Sequence, residues 1–115
     1  MTAETRPEFT LEFRVESESV EPEGEMRREA DSRLRELTYD HNDIVGAAVA
    51  VEEVTGSETP HLYEARIVVY MRPNNLNVVE KAPEALQALQ NALSTMERRV
   101  REERARLREK QRGQA

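Results

Sequence analysis

The residue types in this chain that could do chemistry are two histidines, a pair of adjacent glutamates and a dense run of arginines. His41 lies between Asp40 and Asp43, and His61 follows Pro60; neither has a second ligand at the helical or strand spacing that zinc needs. Both read as surface histidines. Cysteine is absent, which removes thiolate metal sites and disulfides alike. The chain has no glycine-rich phosphate loop and no nucleophile elbow, and no carboxylate pair follows a strand at a spacing suited to acid–base work. Glu52 and Glu53 read as a polar strand end. No enzyme is expected, and no catalytic residue, metal ligand or cofactor is assigned.

What remains is phosphate chemistry. Residues 97 to 115 hold eight Lys/Arg against four Glu, a balance of +4, so a chain of formal net charge −6 carries −10 over residues 1 to 96. The sum hides a dipole. Guanidinium forks bind phosphate bidentately and release its condensed counterions, and steering depends on the potential within about one Debye length, some 8 Å at physiological salt. A basic segment can therefore seek a polyanion on an acidic molecule. The competing reading is a solvated helix laced by pairs such as Glu97 to Arg101 and Glu102 to Arg106.

The element that carries these groups is a long amphipathic helix, predicted from Pro83 to Arg112. Leu86, Leu89, Leu93, Met96, Val100 and Leu107 recur at steps of three and four, which forms one apolar seam. At 100° per residue, Arg101, Arg104, Arg108 and Arg112 fall on one flank of that seam, and Arg99, Arg106 and Lys110 on the other. The basic residues lie off the seam, so Arg98, Arg104 and Arg106 are expected to be dispensable for the fold. A helix of this length outruns a small domain, and its last third must project or grip something.

The rest of the chain must support it. At 115 residues and 37% hydrophobic content there is material for one modest core. Residues 1 to 8 read as a flexible arm, 9 to 112 as one domain and 113 to 115 as a tail. The start lacks the basic and apolar regions of a signal peptide, and the longest apolar run, Ile44 to Val51, is too short to span a bilayer. A cytoplasmic protein without a membrane partner is expected.

Phe9, Leu11, Phe13 and Val15 alternate with polar residues as a first strand with one wet face. Met26, Ala30, Leu34 and Leu37 step as a first helix that runs to about Tyr39. Ile44 to Val54 form a second strand whose Gly46, Ala47, Ala48 and Ala50 suggest that a helix crosses it closely. Leu62 to Met71 form a third strand with Tyr63, Ala65, Ile67, Val69 and Met71 on one face. Leu76 to Glu80 form a short fourth. The expected class is α+β, in the order β-α-β-β-β-α, with an antiparallel meander and both helices packed on one face of a four-stranded sheet.

With these residues in place, the chain resembles the ribosome hibernation-promoting factor and ribosome-associated translation inhibitor family, in its short form. The resemblance rests on the element order, on Leu76-Asn-Val-Val-Glu-Lys-Ala-Pro-Glu-Ala-Leu-Gln-Ala-Leu89 leading into Met96-Glu-Arg-Arg-Val100 and Leu107, and on Val20-Glu21 opening the first helix with Arg27, Arg33 and Leu34 behind it. It covers about residues 9 to 110. It implies a fold related in shape to double-stranded RNA-binding domains. It also implies occupation of the tRNA and messenger RNA region of the small ribosomal subunit, with arginines on its rRNA backbone blocking translation under stress. Arg33, Arg98, Arg104 and Arg106 match basic positions of the family pattern, with Arg27, Arg101 and Arg108 as helpers.

Glu36 and Glu102 depart from the pattern, since the family usually has basic residues there; charge reversal lowers affinity for a phosphate or shifts the footprint. A dimerisation domain of the kind long forms carry is not seen, so unaided pairing of ribosomes is not expected. The alternative is a diverged protein-interaction module that uses the long helix or the sheet to bind a partner or to dimerise. A homodimer through a parallel coiled coil of residues 98 to 112 is disfavoured, because both flanks of the seam are basic and Glu103 interrupts it. Antiparallel pairing, or pairing through the sheet, stays open.

Overall fold

The computed structural model describes residues 9–16, 23–54 and 62–113. Strand β1 (Thr10–Glu16) leads into helix α1 (Glu23–Glu36), and strands β2 (Ile44–Val54), β3 (Leu62–Met71) and β4 (Leu76–Ala82) precede helix α2 (Ala85–Gly113). The sheet order is β1-β2-β3-β4. β1 and β2 run parallel, as a strand–helix–strand crossover requires, while β2, β3 and β4 form the antiparallel meander.

Strand alternation builds the inner face of the sheet. The registers place Leu11, Ala47, Val69 and Leu76 in one cross-strand row, and Phe13, Val49, Ile67 and Val78 in the next. Both helices cover this face. Met26, Ala30 and Leu34 of α1, with Leu89, Leu93, Met96 and Val100 of α2, complete one buried core with the strands. α2 lies chiefly over β3 and β4, and α1 lies beside it, towards β1. Glu80, polar on an inner-face position, is met by the Thr95 hydroxyl of α2 at 2.9 Å.

Three expectations are corrected. Of the small residues of β2 only Ala47 faces the helices; Ala48 and Ala50 lie on the opposite, uncovered face among Glu12, Arg14, Arg66 and Val68, so their size does not mark a helix crossing. Gly46 is fixed by the neighbouring strand, since a Cβ there would sit 2.9 Å from the Thr10 carbonyl oxygen. α1 ends at Glu36; Leu37, Thr38 and Tyr39 continue as turns that donate to the carbonyls of Leu34, Arg35 and Glu36. Asp40 then reverses the chain at a φ of 60°, a conformation that Asp and Asn tolerate better than most side chains. β4 runs to Ala82, two residues past its expected end. Val20 and Glu21, and the arm of residues 1 to 8, lie outside the described residues.

α2 has 29 residues, roughly 43 Å at 1.5 Å per residue. Its last buried residue is Val100. Beyond it only Glu103, Arg104 and Leu107 are half-buried, and Arg108 to Gly113 are exposed. The helix both grips and projects.

Candidate nucleic-acid interface

α1 and α2 run side by side in the same direction, because Glu29 meets Gln90, Arg33 meets Ser94 and Glu97, and the Leu37 carbonyl meets Arg104. The seam between them is ion-paired. The Arg33 guanidinium donates to both Glu97 oxygens at 2.9 and 2.8 Å, to the Ser94 hydroxyl at 3.1 Å and to Glu29 at 3.4 Å. The hydrogen bond to Glu97 is the main reason its pKa rises above the ordinary arginine value, against the opposing effect of partial burial.

Two turns past Glu97 on α2, Arg104 donates to both Asp43 oxygens at 2.8 Å and to the Leu37 carbonyl at 2.8 Å. Its side chain is only 12% exposed. That hydrogen bond, with simple charge attraction behind it, holds the Asp43 carboxyl below the usual carboxylate range against the opposing effect of partial burial. Arg33 and Arg104 thus fasten the two helices, and the expectation that Arg104 is dispensable for the fold does not hold. Sequence periodicity could not show this, since Asp43 lies 61 residues away in the turn before β2.

The remaining candidates divide between two sides. Arg101, Arg108 and Arg112 share the α2 flank of Gln90, Ser94 and Glu97, which is the flank beside α1. Arg99, Arg106 and Lys110 share the flank of Thr95, which lies over β4. The within-helix pairs differ from the expected ones. Glu97 is drawn to Arg33, not Arg101; Glu102 approaches Arg98 at 3.7 Å; and Arg106 bonds Glu103 at 2.7 and 3.1 Å. Arg101, Arg108, Lys110 and Arg112 are exposed and make no ion pair among the described residues. Glu36 and Glu102 are exposed as well.

Arg27 is two turns from Arg33, on the β1 side of α1, with its guanidinium carbon 5.1 Å from the Phe13 ring centre and a long contact of 3.5 Å to the Phe13 carbonyl. Arg35 lies in the same way over Phe9 at 5.1 Å and bonds Asp31 at 2.8 and 3.3 Å. Arg28 and Arg35, like Asp43, did not stand out in the sequence; the four-residue step Arg27-Asp31-Arg35 beside the two-residue step Phe9-Leu11-Phe13 was the available signal. His41 is exposed, and no group of three His, Cys, Asp or Glu among the described residues could hold a metal. No helix among them is long and apolar enough to cross a membrane.

No protein-family profile matches the chain, and no curated protein matches it. Solved structures do. A ribosomal subunit interface protein from Coxiella burnetii superposes with a TM-score of 0.64 at 8% identity, over 84% of this chain and 98% of the other. The N-terminal domain of Protein Y from Thermus thermophilus superposes with a TM-score of 0.62 at 15% identity, over 79% and 94%. At these identities the likeness establishes the fold alone: this chain shares the α+β architecture of both structures over 98% and 94% of their lengths.

Proposed function

We propose that this chain is a ribosome-binding translation inhibitor of the hibernation-factor kind, which occupies the tRNA and messenger RNA region of the small subunit and excludes both by bulk. The observation that carries the reading is the projecting end of α2. Arg101, Arg108 and Arg112 stand together on one flank, exposed and without acidic partners among the described residues, on a fold shared with a protein described as a ribosomal subunit interface protein.

In this reading Arg101 and Arg108 contact the rRNA backbone directly, where each phosphate neutralised releases counterions. Arg98, whose partner Glu102 is exposed on the same helix, exchanges it for phosphate at little cost, whereas Arg106 must first leave the half-buried Glu103. Arg33 and Arg104 act as fasteners that keep α1 and α2 parallel, and Arg27 contributes from the far side of α1. The charge of −10 over residues 1 to 96 opposes binding and makes it sensitive to salt. The test is competition on purified small subunits: the protein should displace bound initiator tRNA in proportion to its own occupancy. Simultaneous, independent binding of both would remove the occlusion mechanism.

A further inference from the structure

β4 stands at one margin of the sheet, and among the described residues none hydrogen-bonds its outer side. Proteins usually guard such a margin with proline, a bulge, a very short strand or a charge aimed along it. β4 lacks these guards. It is seven residues long without proline, and its register with β3 is unbroken. Its two charged side chains are drawn back onto their own chain, Glu80 to the Thr95 hydroxyl at 2.9 Å and Lys81 towards Glu64 at 4.0 Å. At its centre, on the face that the helices leave uncovered, Val79 is 47% exposed, one of two large apolar side chains so exposed among the described residues. The opposite margin differs, because Thr10 and Arg14 of β1 are engaged by further partners.

We propose that β4 is a self-pairing edge, which joins two copies of this chain through an antiparallel ladder of β4 on β4 about a two-fold axis at Val79. The proposal does not rest on the ribosome reading. The residues of the strand select the occupant. Because directly opposed residues share a face, a central axis falls at Val78, Val79 or Glu80. An axis at Glu80 sets two carboxylates against each other, and one at Val78 sets Leu76 against Glu80 and Val79 against Asn77. The Val79 axis matches best. Val79 then meets Val79 of the second copy, Leu76 meets Ala82, and Asn77 meets Lys81, where the amide oxygen accepts from the ammonium. Val78 meets Glu80, whose carboxylate stays on Thr95, and no like charges are opposed. The same axis sets both α2 helices on one face of the joined sheet and runs them antiparallel, so their basic ends beyond Val100 point away from each other. A ladder of this length is smaller than the interface of a permanent dimer, so the pairing is weak, with a dissociation constant on the order of 10 to 100 µM.

The chain has no cysteine, so a single Val79→Cys side chain forms a disulfide only with another copy. Opposed Cα atoms in an antiparallel ladder lie about 4.5 to 5.5 Å apart, within disulfide reach. Under mild oxidation of the full chain, Val79→Cys should cross-link readily. Asn77→Cys, whose two copies stand roughly 13 Å apart along the strands, should not cross-link with itself, yet should do so with Lys81→Cys when the two are mixed. In sedimentation equilibrium the wild type should pass from monomer to dimer as its concentration rises. Val79→Lys, which sets two ammonium groups together at an exposed position, should weaken that dimer by at least about tenfold while melting stays nearly unchanged. Should that variant fail to fold, the three cysteine variants decide alone. A wild type that stays monomeric to about 1 mM would overturn the proposal. Equal dimerisation by folded Val79→Lys would overturn it as well, and so would Asn77→Cys cross-linking with itself as fast as Val79→Cys. A chain that stays monomeric while an added extended peptide slows amide exchange in β4 would assign the edge to a strand of another protein, and self-pairing would fall.

Discussion

Arg104 shows how one side chain can serve the fold where helical spacing suggests a surface cation. By periodicity it belongs with Arg101 and Arg108, yet its fork closes on Asp43 and the Leu37 carbonyl. Arg104→Ala would leave a partly buried carboxylate and a carbonyl without partners, so it should cost about 2 to 3 kcal/mol in urea unfolding. Arg101→Ala should stay within about 0.5 kcal/mol. Equal stabilities for the two variants would dismiss the clamp. The pH dependence has a defined sign. Because Asp43 is held below its ordinary range in the folded chain, the clamp contributes fully above about pH 4, the unfolded carboxylate's range, and is lost as pH falls through the lower folded value. The stability gap between wild type and Arg104→Ala should therefore shrink from pH 5 towards about pH 2. A gap that stays constant over that window would mean Asp43 is not the partner that matters. The sequence made the basic flank legible because helical spacing is local; it concealed the clamp because Asp43 is brought in by the fold.

Among the elements, β1, β3 and α2 are legible because their apolar residues keep strict periods of two or of three and four. The buried rows and seam fall where those periods place them. Leu93 is fully buried mid-seam, so Leu93→Ala should cost about 2 to 5 kcal/mol by lost burial and a cavity. A loss below about 0.5 kcal/mol would contradict the packing. β2 is less legible because small size has several causes that one strand cannot distinguish. Gly46 is small because of the Thr10 carbonyl, and Gly46→Ala should destabilise by about 1 to 3 kcal/mol as two backbones are pushed apart. Ala48 and Ala50 face the uncovered side, where enlargement to Ser should be nearly neutral. The end of α1 is not legible because Leu37 continues the apolar period while its backbone has already passed into turns.

At the scale of the whole molecule, charge and topology act together. The slab of sheet and helices has principal extents of 54 × 40 × 15 Å, and the long α2 delivers its uncompensated arginines beyond the last core residue, Val100. The fold was legible from element order and periodicity. The division of basic groups between the two sides of α1 was not, because it depends on which face each helix turns to its neighbour. With both flanks basic, parallel pairing of this end is disfavoured, and spin labels at Ala105 in the free protein should show no short, sharp distance at low salt. A sharp short distance would favour the interaction-module reading. The central claim is that exposed α2 arginines hold the chain on the small ribosomal subunit. Its most direct measurement is co-sedimentation of purified small subunits with wild type and with an Arg101→Glu, Arg108→Glu chain, at low and at physiological salt. The account predicts that wild type pellets at low salt and is progressively released as salt rises, while the folded double variant stays in the supernatant. A wild type that never pellets, or a double variant that pellets equally well, would contradict it.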